Sequence, residues 1–226
     1  MLSYLDRSNI GNAKIAGMSH DLHFSASGSS YTWLLTIFYI AYILFGFSAL
    51  IWKVVPPHIW ASSMILCWGI VSSLQATTGS WGGMMALRFF LGAFEAGFGP
   101  GVPFYLSFFY MRRELGLRCG MFLSAGPLAT CFAGALAYGI TSGHAGIKNW
   151  RLLFLVEGLP CLLMAGVAFF FLPDLPSKAR FLDEDDKAVA RARGVRQIGG
   201  EEAGLNKRIG SIVWKDFGAG LLDVKV

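Results

Sequence analysis

The sequence predicts an all-α, polytopic membrane protein, and three observations predict it. Apolar residues make up 54% of the 226-residue chain and charged residues only 15%, with a mean hydropathy of +0.53, which is too apolar for an ordinary soluble domain of this size. The charges are clustered rather than dispersed. The gaps between clusters are membrane-sized, since about 20 apolar residues suffice to cross a hydrocarbon core of roughly 30 Å.

Six spans are expected within residues 1–172, which form the membrane domain. The first covers residues 1–16, ends near Ala16 and carries Asp6 and Arg7. Met1 lies so few residues before Asp6 that this helix is expected to be truncated at its start, and the stretch lacks the basic n-region and uncharged apolar run of a secretory signal peptide. The second, residues 31–52 from Tyr31 to Trp52, contains no Asp, Glu, Lys, Arg or His. The third, 59–78 from Ile59 to Thr78, lies in a run from Val54 to Leu87 that only His58 interrupts. The fourth is Met84 to Tyr110 (84–110), the fifth Cys119 to Ile140 (119–140), and the sixth Trp150 to Leu172 (150–172).

Loop charges predict the orientation. Lys53, Arg112, Arg113 and Arg118 fall between spans 2 and 3 or 4 and 5, on the same side as the basic tail. The opposite loops, Gly17 to Ser30 and Gly79 to Gly83, carry no Lys or Arg, and Gly143 to Asn149 carries only Lys148. The positive-inside rule places the first set and the tail in the cytoplasm. The net charge of +5 is then a topology signal, with the lipid bilayer as partner and no nucleic acid implied, because the bases are spread over short loops and mixed with acids in the tail.

Residues 173–226 change character. A helical segment is expected from Phe181 to Arg196, with the acidic run Asp183 to Asp186 at its start, where it suits the helix dipole. Gly199 to Gly210 has the composition of a flexible linker. Trp214, Phe217, Leu221 and Leu222 then recur at helical spacing, as an amphipathic lead into a further span.

Other features have structural explanations. Cys67, Cys119, Cys131 and Cys161 show no paired spacing and are expected as buried free thiols. His20 and His23 lack the Cys or carboxylate company of a metal site, and no metal or cofactor is expected. Gly97-Phe98-Gly99-Pro100-Gly101 follows no strand, so it suits close packing or a kink rather than a phosphate.

Ionisable residues inside spans cost roughly 2.5–3.5 kcal/mol each even on lenient scales. Five stand out: Asp6, Arg7, Arg88, Glu95 and Glu157. Arg88 and Glu95 share a face of span 4, with Glu95 about 10 Å deeper, too far for a direct pair. Each is therefore expected to face a charge or a water-filled cavity supplied by another helix, with Asp6 and Arg7 on span 1 as the available partners. Glu157 has Arg151 nearby in sequence as a local partner, leaving a structural or gating role open for that couple.

These residues sit in recognisable strings: Leu5-Asp6-Arg7-Ser8-Asn9-Ile10-Gly11-Asn12-Ala13, then Arg88-Phe89-Phe90-Leu91-Gly92-Ala93-Phe94-Glu95-Ala96-Gly97, Pro100-Gly101-Val102, and Trp150-Arg151 with Phe154-Leu155-Val156-Glu157-Gly158. Together they resemble the anion:cation symporter family of the major facilitator superfamily, with most similarity to its fungal allantoate and nicotinate permease branch. The resemblance runs from Leu5 to Val226. It implies twelve helices in two six-helix bundles, of which this chain supplies the amino-terminal one and lacks the second. It implies proton-coupled uptake of a small organic anion across the plasma membrane, with Asp6 and Glu95 in proton coupling, Arg7 and Arg88 near the substrate or paired to those acids, and Asn9 at the substrate. Two departures stand out: Ala49 to His58 holds only Lys53 and His58 where a Gly, Asp and Arg pattern is usual, and Leu152-Leu153 stands where a second Trp is common. The alternative is an incomplete, transport-inactive chain with a structural or interaction role. An enzyme is disfavoured, since no Ser-His-acid order, metal cluster or phosphate loop stands out.

Overall fold

The computed structural model describes residues 2–22, 24, 29–143, 146–176 and 179–198, and among these residues the regular structure is entirely helical. Helix α1 is Leu2–Ala13, continued by a π-helical stretch Lys14–Met18 and a short turn Ser19–Asp21. Helix α2 is Ser29–Leu44, prolonged as a 3-10 helix Gly46–Lys53. Then come α3 (Pro57–Gln75), α4 (Trp81–Phe98), the short α5 (Gly101–Leu106), α6 (Arg112–Ser142), α7 (Asn149–Phe171) and α8 (Glu184–Ile198). The core is built by α3 along α7, α2 along α4, α3 against α4, and α1 against both α6 and α7.

Polarity divides the helices. The stretches Ser29–Lys53, Arg112–Ser142 and Asn149–Phe171 are long and apolar enough to cross a membrane by length and composition. This is fewer than the six expected spans, and the reason lies in α1, α3 and α4, which carry the buried polar side chains Asp6, Asn9, Ser72, Gln75, Arg88 and Glu95. Large apolar side chains stand exposed on the outer faces of the long helices, among them Ile43 on α2, Leu66 and Ile70 on α3, Phe90 on α4, Phe132 on α6 and Phe170 on α7. An apolar exterior around a polar interior is what a lipid solvent requires.

Several boundaries differ from the expected ones. The first helical path kinks at Gly17, whose φ of 99° is a left-handed conformation that glycine adopts without a Cβ penalty, and a short turn follows over Ser19–Asp21. In the second span the α-helix stops at Leu44. The 3-10 continuation carries buried Trp52 inward, and its indole N–H donates to the Gly97 carbonyl at 2.7 Å. The fourth span is interrupted between Phe98 and Gly101 and its helix ends at Leu106; Pro100 there has no N–H for the helical ladder. The fifth helix begins at Arg112, so Arg112, Arg113 and Arg118 lie in its first turns and not in a loop, with the Glu114 carboxylate accepting from the Met111 N–H at 3.4 Å. The tail helix spans Glu184–Ile198 rather than 181–196, with Glu184, Asp185 and Asp186 in its first turn. Of the four free cysteines only Cys161 is buried; Cys131 is exposed on the apolar flank of α6. His23, the 199–210 stretch and Trp214, Phe217, Leu221 and Leu222 lie outside the described residues.

Glycine sets how closely the inner helices approach. A Cβ on Gly92 would collide with the Phe38 carbonyl of α2, and one on Gly158 would meet the Ser73 backbone of α3. In the Gly97–Gly101 segment, Gly97 sits against Met64 and Trp60, and Gly101 against the Trp52 indole. Small residues at these crossings exchange side-chain volume for backbone contact, as membrane helix pairs do. Gly92→Ala forces a displacement of backbone, not of a flexible side chain. The expected outcome is a loss of about 1–3 kcal/mol of stability, seen as a lower thermal midpoint of the detergent-solubilised full-length protein; an unchanged midpoint would show that α2 and α4 are not held at this distance.

Candidate functional site

The site grows from two adjacent residues of α1. Successive residues of a helix point about 100° apart, so Asp6 and Arg7 address different neighbours. Arg7 turns to α4, where its Nε donates to Glu95 Oε2 at 2.8 Å; Glu95 is 1% exposed and Arg7 25%. Ser3, one turn back on α1, donates to the same oxygen at 3.3 Å. The guanidinium lies 4.7 Å from the Tyr42 ring centroid and 5.4 Å from that of Phe38, so α2 supplies two aromatic faces to the cation.

Asp6 turns the other way. Its Oδ1 accepts from Ser72 Oγ of α3 at 2.6 Å, and Cys161 Sγ of α7 lies 4.0 Å from its Oδ2. Arg88 reaches α1 at the same residue but through the backbone: Nη1 donates to the Asp6 main-chain carbonyl at 3.3 Å, and the guanidinium lies 5.5 Å from the Phe154 centroid. Its Nε and Nη2 have no hydrogen-bond partner among the described residues. Arg88 thus stands in the field of Asp6, Glu95 and Glu157 without hydrogen-bonding to a carboxylate. The short Asp6 side chain is engaged by Ser72, so Arg88 meets α1 at a backbone carbonyl rather than at that carboxylate.

The Glu157–Arg151 couple does not form. Arg151 Nη2 donates to the Thr78 carbonyl at 3.3 Å and its guanidinium lies 5.1 Å from the Trp150 ring. Glu157 points into the bundle, 2% exposed, with neither oxygen hydrogen-bonded among the described residues. Six positions apart on one helix, the two are about 1.7 turns apart along the axis and roughly 120° apart around it, so they face different neighbours. Asn9 is fully buried beside Glu157.

Expected site residues Asp6, Arg7, Asn9, Arg88, Glu95 and Glu157 therefore converge, whereas Arg151 stands apart. Ser72, Gln75 and Tyr42 were not singled out by sequence. Ser72 and Gln75 are three apart in an apolar span, hence on one face, and that spacing was a usable signal; Tyr42 carried none, because aromatic residues crowd α2. A cavity of about 760 Å³ opens on this region, with Arg7, Tyr42, Trp68, Phe98 and Phe122 in its walls.

Comparison with known proteins bears on what such a site serves. The family model described as Major Facilitator Superfamily matches residues 1–219. The chain is 37% identical over 85% of its length to the MFS-type transporter efuF of Hormonema carpetanum, covering 39% of that protein. It is 35% identical over 100% of its length to a putative tartrate transporter of Agrobacterium vitis, covering 50% of it. The chain thus spans at most about half the length of these relatives. Among solved structures, a bacterial homologue of the human lysosomal transporter Spinster, inward-facing and unoccupied, superposes with a TM-score of 0.64 at 19% identity, over 77% of this chain and 41% of that one.

Polar contacts also close both ends of the bundle. At one end His58 Nδ1 lies 2.6 Å from Asp174 Oδ1, Tyr105 donates to the Pro173 carbonyl at 2.8 Å, and Arg193 meets Glu114 at 2.7 Å. At the other, Asp21 accepts from Lys148 and from Trp150 Nε1, both at 2.7 Å, joining the end of the α1 path to the start of α7. These two donors hold the Asp21 carboxyl below the usual carboxylate range. Its stabilising contribution is therefore present above the ordinary carboxylate range and is lost as pH falls through the lowered value. Asp21→Asn is expected to melt below the parent at neutral pH, with the gap closing on acidification; a gap of constant size from neutral to acid pH would refute the tie.

Proposed function

The chain belongs to the major facilitator superfamily, and on that premise we propose that it forms the amino-terminal bundle of a proton-coupled importer for a small organic anion, of the anion:cation symporter type. The observation that carries this reading is the Arg7–Glu95 bond, which joins a cation in the cavity wall to a titratable acid buried behind it. Only Nε of Arg7 is taken by Glu95. The rest of the planar fork suits a carboxylate, which it can grip through two N–H groups at once.

Coupling follows from competition. A carboxyl this buried is costly as an anion unless a cation answers it, and Arg7 is that cation. A proton arriving at Glu95 neutralises it and frees Arg7 for the substrate carboxylate, while loss of the proton lets Glu95 reclaim the arginine and release the substrate. Proton and anion then bind with positive linkage, which is reciprocal by necessity. Asp6 is the second carboxyl of this path, Arg88 the second cation, and Asn9 contributes a neutral amide to the same interior. The Trp150–Arg151 end is structural. The naming of a relative as a tartrate transporter supports a carboxylate substrate, as does the resemblance to allantoate and nicotinate permeases. The reading places the protein in the plasma membrane, with residues 173–226 cytoplasmic and leading to a second six-helix bundle.

In the full-length protein Glu95→Gln fixes the neutral form. Uphill accumulation of a radiolabelled organic anion driven by a pH gradient is expected to be lost, while substrate exchange persists; full pH-driven accumulation by a well-expressed variant would dismiss Glu95 as the coupling acid. Orientation is tested separately, with a cysteine at Ala188 in a background lacking the four native cysteines. An impermeant thiol reagent should label it only after the cells are opened, and strong labelling of intact cells would invert the topology.

A further inference from the structure

Burial along α1 is one-sided. Leu5, Asp6, Asn9, Ile10 and Ala13 are buried in the bundle, whereas Arg7, Ser8, Gly11 and Asn12 are half-buried and Lys14, the residue after the helix, is exposed. Ile15 is the one large apolar side chain exposed among the described residues of the path 2–21. The open side of this path is therefore polar, unlike the apolar outer faces of the other long helices. Lipid does not tolerate such a face, which belongs to water or to another polar surface. In a bundle that spans about half the length of its relatives, it is the side left for the transport path and a second bundle.

Two cations stand on that side. Arg7 and Lys14 are seven residues apart, close to two full turns, so they share a face at levels about 10 Å apart. Each is met by a tyrosine of α2: the Tyr42 ring centroid lies 4.7 Å from the Arg7 guanidinium and that of Tyr31 lies 4.3 Å from the Lys14 ammonium. Tyr31 and Tyr42 are themselves eleven residues apart, close to three turns, and share a face of α2. The Tyr31 hydroxyl lies against Gly11, which has no side chain to fill the space between the two cations. What differs is the countercharge. Arg7 has Glu95. Lys14 makes no ion pair among the described residues, and Asp21, the next acid along the path, is taken by Lys148 and Trp150. A tyrosine face orients an ammonium without neutralising it, so the three N–H donors of Lys14 are left for a ligand.

We infer that Lys14 and Tyr31 form a second anion-binding station on the transport path, which holds the substrate carboxylate about 10 Å from Arg7 on the Asp21–Trp150 side. The inference rests on the reading of the chain as an organic-anion transporter. The two stations suit different tasks. Lys14 is an exposed, hydrated point charge that accepts an anion from many directions, whereas the planar fork of Arg7 selects for carboxylate geometry. The same anion meets them in succession, attracted at Lys14 and gripped at Arg7 once Glu95 gives up the guanidinium.

Acetylation of the full-length protein in phosphatidylcholine vesicles by acetic anhydride, a small neutral reagent, read at each lysine by mass spectrometry, tests this without measuring transport. Tartrate or nicotinate at ten times its dissociation constant should slow acetylation of Lys14 about tenfold and leave Lys148, which is tied to Asp21, unchanged. Protection should persist in the double variant Arg7→Gln/Glu95→Gln, which removes the inner pair without stranding a charge. A Lys14 that does not react in the absence of anion, protection by neither anion, or loss of protection in the double variant would overturn the inference. So would protection by phosphatidylglycerol in the vesicle that neither tartrate nor nicotinate reproduces, since Lys14 would then be a lipid headgroup contact. Should the double variant fail to fold, Lys14→Gln decides: binding of the protecting anion several-fold weaker than in the parent supports the station, and unchanged affinity overturns it. Failure of the coupling reading would appear as uphill uptake unaffected by Glu95→Gln and would leave the protection of Lys14 in place.

Discussion

Two guanidiniums and three carboxyls buried among apolar helices constrain everything else in this bundle. Each charge taken from water needs an answering group within reach, and α1 carries opposite charges at consecutive positions, Asp6 and Arg7. Because their directions differ by about 100°, α1 has to sit between α4, which offers Glu95, and the α3–α7 pair, which offers Ser72 and Cys161. A peripheral α1 would strand one of the two. Its central position brings Asn9 beside Glu157 and delivers the Asp6 carbonyl to Arg88.

Side-chain bonds of 2.6–2.8 Å across helices need axes that approach closely, and glycine supplies the approach. Gly92 lets α4 lie on the Phe38 carbonyl of α2, which brings Phe38 and Tyr42 over Arg7. Gly158 does the same for α7 on α3, next to Glu157 in the chain. Packing and charge placement are thus one design. Exposed apolar side chains on α2, α3, α4, α6 and α7 then make the outer surface, and the ends are tied by short polar contacts at Asp21 and His58.

Much of the site was legible because an ionisable residue in an apolar run has few structural excuses. Asp6, Arg7, Arg88, Glu95 and Glu157 announced themselves by cost alone. Partners were harder to see. Arg151 lies near Glu157 in the chain yet bonds to Thr78, since residues six apart on a helix do not face one another. Asp174, which receives His58 at 2.6 Å, sits 116 positions away, and no local pattern links the two. Ser72 and Gln75 escaped notice because serine and glutamine cost less in a membrane than charges do and draw less attention.

The sequence by itself determined that the chain is helical and lipid-facing, and where its buried charges lie. These are properties of composition and spacing along one helix at a time. The path of each helix needed the tertiary structure: the kink at Gly17, the 3-10 turn that buries Trp52, the break at Pro100 and the early start of α6 at Arg112. So did the choice among partners, which turned Arg7 to Glu95 and Arg88 to a backbone carbonyl. The physical reason is that burial and pairing energies depend on distances between segments far apart in the chain, and those distances are set by how closely glycine-bearing faces pack, a quantity that no single helix contains.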